Sequence, residues 1–244
     1  SEFAEWDATP TAYSPYGFRA DVTPSSLEAV RHRRAGVQDE GSQLVASIFA
    51  QVAADKNSWL DLCAGPGGKA ALLASIADQG SHRFVANEIS QVRADLVKQV
   101  VGKNEVWVGD AREIGTRGEK FDAILADVPC TGMGALRRRP EVRWRRRLSD
   151  LRELGVLQRE ISDAAISVLN IGGVFGYATC SPHLAETSIA VADILRKHPE
   201  LEQIDIAPFM PQGLEGAVRD KSMALWTQRH NTDAMFLALF RKIS

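Results

Sequence analysis

The sequence predicts an α/β fold: a mostly parallel sheet with helices on both faces. Three observations predict it. From residue 59 onward, short apolar runs of strand length alternate with longer stretches of helical period. A glycine-rich turn joins the first of those runs to a helix. The later runs end in loops that carry acids or cysteines, at the edge where open parallel sheets bind their ligands.

Residues 4–36 are irregular, broken by Pro10, Pro15, Gly17 and Pro24, with one short helix expected near 25–33. They read as an extension, 1–36, ahead of a single domain, 37–244. Ser1-Glu2-Phe3 has the composition of a vector-derived scar. A helix is expected from Asp39, because Leu44, Val45, Ile48, Phe49 and Val52 recur at helical spacing. Strands are expected at 59–62, 83–88, 105–109, 121–127, 174–179, 201–206 and 234–241. The helices between them are expected at 69–77, 90–101, 150–170 and 184–198.

At 244 residues and 45% hydrophobic, the chain suits one domain with a substantial core. Its net charge of -2 gives no general reason to expect a polyanion partner, although the charge is unevenly spread. No apolar run reaches the roughly 18 residues of a membrane span, and no signal-peptide pattern opens the chain. Three cysteines, Cys63, Cys130 and Cys180, are too few and too scattered for a disulfide framework. They suggest a reduced, cytoplasmic protein, and no His/Cys spacing suggests a metal.

The first strand runs into Asp61-Leu62-Cys63-Ala64-Gly65-Pro66-Gly67-Gly68-Lys69. A Walker loop fails here, with Cys63 in place of its first glycine and Ala70 in place of its Ser/Thr. No G-x-G-x-x-G is present either. The remaining readings are a turn that cradles an uncharged or zwitterionic nucleoside, and a plain tight βα turn. Glu88 ends the second strand, where an acid accepts ribose hydroxyls. Asp110 ends the third, placed for an adenine amino group. Either acid alone would be an ordinary N-cap. Together with the loop they outline an adenosine-shaped slot, which suits S-adenosyl-L-methionine.

The fourth strand ends in Asp127-Val128-Pro129-Cys130 and the fifth in Thr179-Cys180-Ser181-Pro182. A lone cysteine is usually a small core hydrophobe. Two at neighbouring ligand-edge loops suggest reagents, because a thiolate is a good nucleophile. A thiolate can add to carbon 6 of a pyrimidine, making carbon 5 attack a sulfonium methyl group. Asp127 is the candidate acid at ring nitrogen 3. These positions leave open which thiol adds and which assists.

These motifs together resemble the Fmu/Sun family of RNA cytosine-5 methyltransferases, whose bacterial members methylate 16S ribosomal RNA. The resemblance runs from about Val37 to the C-terminus. It adds Gln38-Asp39-Glu40-Gly41-Ser42 and Arg229-His230-Asn231-Thr232-Asp233 to the loops above. It implies a Rossmann-like class I methyltransferase sheet of seven strands, six parallel and the last antiparallel. It implies that Cys180 forms the covalent adduct and that Cys130 assists product release, as the base of the elimination. Asp127 would contact both the cofactor's methionine end and the cytosine. The 63–69 loop would wrap the cofactor, Glu88 hold its ribose, Asp110 its adenine, and Arg93 support the site. Lys69 would reach the active-site carboxylates. DNA enzymes use the Pro-Cys thiol as nucleophile, so two thiols favour RNA.

The chain departs from the family pattern at Glu88, where Asp is common, and at Ala234-Met235, where Gly-Phe is common. The family's N-terminal RNA-binding domain is absent from this sequence, so the expectation is a catalytic domain on its own or a short paralogue. Arg137, Arg138, Arg139, Arg143, Arg145, Arg146 and Arg147 crowd around Trp144 just after the Cys130 loop. A solvated helix surface is one reading of this run. The other is an RNA grip, with arginines on phosphates and the ring stacked on a base. His183 suits a helix start or an RNA contact. The expected activity is therefore 16S rRNA cytosine-5 methylation by a monomer without metal. The alternatives are methylation of tRNA or another RNA, and an idle RNA-binding assembly factor.

Overall fold

A computed structural model describes residues 7–244. The lead-in forms a two-strand ribbon, β1 (Thr9–Pro10) with β2 (Phe18–Arg19), then the short helix α1 (Glu28–Arg31). It is tied to the first long helix, α2 (Glu40–Val52), through a buried carboxylate. Glu40 accepts the Tyr13 and Ser14 N–H groups at 2.6 and 3.0 Å and pairs with Arg19 at 2.8 Å. Asp39 is the N-cap of α2, accepting the Gly41 N–H at 2.9 Å.

The sheet then builds in βα steps. In chain order come β3 (Ser58–Asp61), α3 (Gly68–Gly80), β4 (Arg83–Glu88), α4 (Gln91–Lys98), β5 (Glu105–Val108) and β6 (Phe121–Asp127). Next are the short α5 (Val142–Arg145), α6 (Leu148–Ser167), β7 (Leu169–Thr179), α7 (Ser188–Lys197) and β8 (Leu201–Ile204). The short strands β9 (Val218–Arg219) and β10 (Ser222–Ala224), the turn of helix α8 (Thr227–His230), and β11 (Phe236–Lys242) complete the chain. Strand order is β5-β4-β3-β6-β7-β11, and β11's outer edge is shared by β10 and β8. The first five strands are parallel, and β11 is antiparallel to both β7 and β8, so β8 runs with the five. Six strands in one direction and one reversed between them are the expected set. The chain leaves β3 toward β4 and later returns on its other side as β6. That reversal opens a crevice at the strand C-termini.

The apolar runs look continuous in sequence but divide by pleat. Trp59, Phe84, Leu125, Val174 and Leu239 join α2, α3 and α4 in one buried layer. Leu60, Val85, Ile124, Phe175 and Phe240 join α6 and α7 in the other. Full burial of each such side chain contributes about 1.5–3 kcal/mol, so this core fixes where every strand ends.

Three expectations shift. β7 starts at Leu169, not 174, because Gly172 and Gly173 sit in a register irregularity instead of ending the strand. The helix expected at 184–198 splits into a 3-10 turn, Leu184–Glu186, and α7, with Thr187 in a non-helical conformation between them. The β9–β10 pair lies in a stretch with no strand pattern to read.

Candidate active site

Five strand ends supply the site. The loop after β3 is held by its neighbours: the Ala64 N–H donates to the Asn87 carbonyl at 2.9 Å, and the Gly65 N–H to Glu88 Oε2 at 3.0 Å. A side chain at Gly65 would put its Cβ 2.1 Å from that same oxygen, so the close approach requires glycine. The Gly65-Pro66 peptide is cis. Gly67 caps α3, and Gly68 and Lys69 are its first residues. Glu88 is buried; its other oxygen accepts the Ser90 N–H at 2.8 Å and pairs with Arg93 at 2.6 Å. Arg93 thus acts on the loop through Glu88. Asn87, which carries no sequence signal, donates to the carbonyls of Leu62 and Gly109, both at 3.1 Å, and staples three strand ends. Asp110 caps a 3-10 turn and is gripped by Arg112, which also reaches Glu160 on α6. Those hydrogen bonds hold the Asp110 carboxyl below its usual range.

Beneath the loop lies Asp61, 1% exposed, with neither carboxylate oxygen in hydrogen-bond geometry with a partner. Burial, and then the charge of Asp127, push it up to about 7 against the pull of Lys69. A buried, unpartnered acceptor beneath a glycine cradle fits a ligand that brings donors of its own. A zwitterionic nucleoside with an ammonium group is such a ligand, whereas the acids lining the slot disfavour a phosphate. The Cys63 thiol is pushed up, first by burial and then by Asp61, Asp127 and Glu88, and so stays protonated.

On the other side of the crevice, Cys130 Sγ and Cys180 Sγ lie 3.3 Å apart. They follow β6 and β7, which run side by side. Lys69 Nζ pairs with Asp127 Oδ2 at 2.8 Å at the end of β6. Burial opposes the Lys69 charge, but Asp127 outweighs it and holds the ammonium above its usual range. Cys180 is lowered, first by the hydrogen bond from Cys130, with burial and Asp127 opposing and Lys69 assisting. Cys130 is raised by that same bond, then by burial and the charges of Cys180, Asp127 and Glu186. The contact between the sulfurs thus favours negative charge on Cys180 over Cys130.

The arginine run divides, which narrows the expectation of a single RNA grip. Arg137 binds Asp39 at 3.0 Å and the Asn231 carbonyl at 3.1 Å, while Arg138 makes a bidentate pair with Asp233. Asp39 and Asp233 are both buried, and a buried carboxylate needs a counter-charge. Arg146 donates to the Thr131 and Cys130 carbonyls at 3.0 and 3.1 Å and so pins the thiol loop. Arg139, Arg143, Arg145 and Arg147 are exposed and have no carboxylate partner among the described residues. Trp144 stands 81% exposed beside Arg143, whose guanidinium lies 5.5 Å from its ring. His183 caps the 3-10 turn after the Cys180 loop, its Nδ1 accepting the Ala185 N–H at 3.1 Å.

Sequence pattern also passes over Asp61, Gln158 and Glu186 as site residues. Asp61 stands in plain view as an acid at the end of an otherwise apolar strand. Gln158 and Glu186 carry no local signal, since both lie within helical stretches.

Sheet order, glycine loop and acidic strand ends define the class: this is the fold of the class I S-adenosylmethionine-dependent methyltransferases. Comparison with known proteins narrows it. Residues 49–241 match the family described as 16S rRNA methyltransferase RsmB/F, and the chain belongs to that family. It is 49% identical over 239 residues to the putative methyltransferase Rv1407 of Mycobacterium tuberculosis, covering 95% of this chain and 51% of that protein. It is 38% identical over 177 residues to ribosomal RNA small subunit methyltransferase B of Pectobacterium carotovorum, covering 70% of this chain and 40% of that one. The chain thus spans about half, or less, of the curated relatives it matches. Among solved structures, PH0851 superposes with a TM-score of 0.83 at 27% identity, over 99% of this chain and 55% of that one. NSun6 from Pyrococcus horikoshii, solved with SFG, gives 0.77 at 27% identity, over 91% and 57%. No described helix is long and apolar enough to cross a membrane.

Proposed function

We propose that this chain methylates carbon 5 of a cytosine in RNA, with 16S ribosomal RNA as substrate, through a covalent adduct on Cys180. The observation that carries the reading is the pair of thiols 3.3 Å apart at adjoining strand ends, beside the Lys69–Asp127 pair. S-adenosyl-L-methionine, the cofactor of this fold and family, supplies the methyl group. The 63–69 loop, with Glu88 and Asp110, would hold it, and Arg93, paired with Glu88, would steady that carboxylate.

Cys180, as thiolate, adds to carbon 6 of the flipped-out cytosine, and the Cys130 proton passes by way of Asp127 to ring nitrogen 3, which leaves Cys130 as thiolate. Carbon 5 becomes electron-rich and would take the methyl group, the methyl–sulfonium bond breaking to leave a neutral thioether. The Cys130 thiolate then removes the carbon-5 proton, the carbon 6–sulfur bond breaks to return Cys180 as thiolate, and the proton on nitrogen 3 is lost to water. The relatives named for ribosomal RNA of the small subunit support 16S rRNA as the substrate.

The test uses methyl-labelled cofactor and 16S rRNA, with bisulfite mapping of the product. Wild type should label cytosine, Cys180→Ala should not, and Cys130→Ala should accumulate a denaturant-resistant protein–RNA adduct. Cytosine labelling that survives Cys180→Ala sinks the nucleophile assignment. Labelling of tRNA in place of 16S rRNA would retain the chemistry and replace the substrate.

A further inference from the structure

Glu186 is fully buried at the seam between the two thiol loops. Its Oε1 accepts the Thr131 N–H at 2.8 Å and Gln158 Nε2 at 3.0 Å, and its Oε2 accepts the Thr131 hydroxyl at 2.5 Å. Three donors and no donation is the pattern of an ionised carboxylate. No Lys or Arg is paired with it among the described residues, so these hydrogen bonds are its polar contacts. The Thr131 hydroxyl gives its proton to Glu186, so the 3.3 Å contact between Thr131 Oγ1 and Ser181 Oγ has Ser181 as donor. Ser181 in turn accepts the His183 N–H at 3.1 Å. The residue after Cys130 and the residue after Cys180 are thereby joined through one carboxylate. Gln158 reinforces the seam by donating also to the Pro129 carbonyl at 2.9 Å.

We propose that Glu186 is a positioning residue that divides the labour of the two thiols. Its bonds fix the Cys130 loop, and its negative charge keeps the proton shared by the sulfurs on Cys130, so that Cys180 is the nucleophile. The surroundings are asymmetric in that sense. Cys180 feels Cys130, Asp127, Lys69 and Asp233, with Arg138 nearby. Cys130 feels Cys180, Asp127, Glu186 and the Tyr177 phenol. Asp127 opposes charge on both sulfurs; Lys69 favours charge on Cys180 and Asp233, itself paired with Arg138, opposes it, while Glu186 opposes charge on Cys130 and no cation there offsets it. The same charge raises the proton affinity of Cys130, which is what a base requires.

The inference rests on reading the two thiols as the reactive pair, and its test needs neither RNA nor cofactor. Purified protein is treated with limiting iodoacetamide across a pH series, and the label on each cysteine is quantified by peptide mass spectrometry. In wild type Cys180 should be labelled first. Glu186→Gln, which keeps size and removes charge, should lower the Cys180-to-Cys130 labelling ratio about tenfold, the equivalent of one pH unit. It should also move the Cys130 midpoint to lower pH. Thr131→Val loosens the loop but keeps the carboxylate, so it should change the Cys130 plateau rate and not its midpoint.

An unchanged ratio in Glu186→Gln, or a midpoint shift as large in Thr131→Val, overturns the proposal. If Glu186→Gln does not fold, Glu186→Asp decides, since it withdraws the charge by one methylene. A smaller shift in the same direction supports the proposal, and no shift overturns it. Failure of the methyl-transfer reading looks different: methylation would survive Cys180→Ala while the labelling pattern stayed as described.

Discussion

Asp61 shows how one residue can record the ligand a site was shaped for. Its carboxyl is buried, has no bonded partner, and is pushed up to about 7. In the unfolded chain it titrates near the ordinary Asp value of about 3.9. Between those two values the folded protein holds a proton that the unfolded chain has released. Stability therefore falls as pH rises through this window and stays low above it. Asp61→Asn should stabilise the ligand-free protein at neutral pH and above, by up to about 4 kcal/mol. The gain should vanish below about pH 4. Thermal melts across pH check this, and a constant gain at all pH values would refute it. The same variant should bind S-adenosyl-L-methionine more weakly, because the ligand's ammonium group loses a negative charge and meets an NH2 donor in place of one oxygen. Asp61 can be suspected from sequence, as an acid closing an apolar strand. Its lack of a partner cannot, because that depends on what every neighbouring loop fails to supply.

Among the elements, the strand-end loops are legible because strand, turn and reagent lie next to one another in the chain. The helix after the Cys180 loop is illegible for the opposite reason. Glu186 turns inward to Thr131, a residue 55 positions away, and the helix breaks at Thr187 behind it. Gly134 shows the same dependence on distant chain. Its N–H donates to the Cys180 carbonyl and its carbonyl accepts the Ala234 N–H, both at 2.9 Å. It therefore welds the Cys130 loop to the Cys180 loop and to the entry of β11. A Cβ there would lie 2.1 Å from the Ala234 oxygen and 2.7 Å from the Cys180 oxygen, both backbone atoms that cannot swing aside. Gly134→Ala should cost about 1–3 kcal/mol of stability, the usual cost of overpacking. It should also reduce methyl transfer by prising the two sulfurs apart. Gly216→Ala is the control: nothing lies within 4 Å of its Cβ, so melting and activity should stay at wild-type values.

At the scale of the whole molecule the question is how a protein of net charge -2 would hold the RNA proposed as its substrate. Along the chain, the seven arginines of 137–147 form one basic run. Folding separates them, since the carboxylates that claim Arg137 and Arg138 stand 98 and 95 positions away. Those two neutralise the buried Asp39 and Asp233 and fasten α2 and β11 to the thiol loop. On the proposed function, Arg139, Arg143, Arg145 and Arg147, with Trp144, would be left for the phosphates and a base near the target. The two groups should therefore fail in different ways. Replacing the four exposed arginines by alanine should leave the melting temperature unchanged. It should weaken RNA binding and flatten its salt dependence by about 0.7 in log–log slope for each single-strand phosphate that is no longer neutralised. Arg138→Ala should instead lower the melting temperature, because it leaves Asp233 buried without its partner, and should leave the salt slope near wild type. Binding titrations at several salt concentrations, paired with melts, separate the two. An Arg138→Ala variant that melts normally while its salt dependence flattens would return Arg138 to the RNA face and dissolve the division.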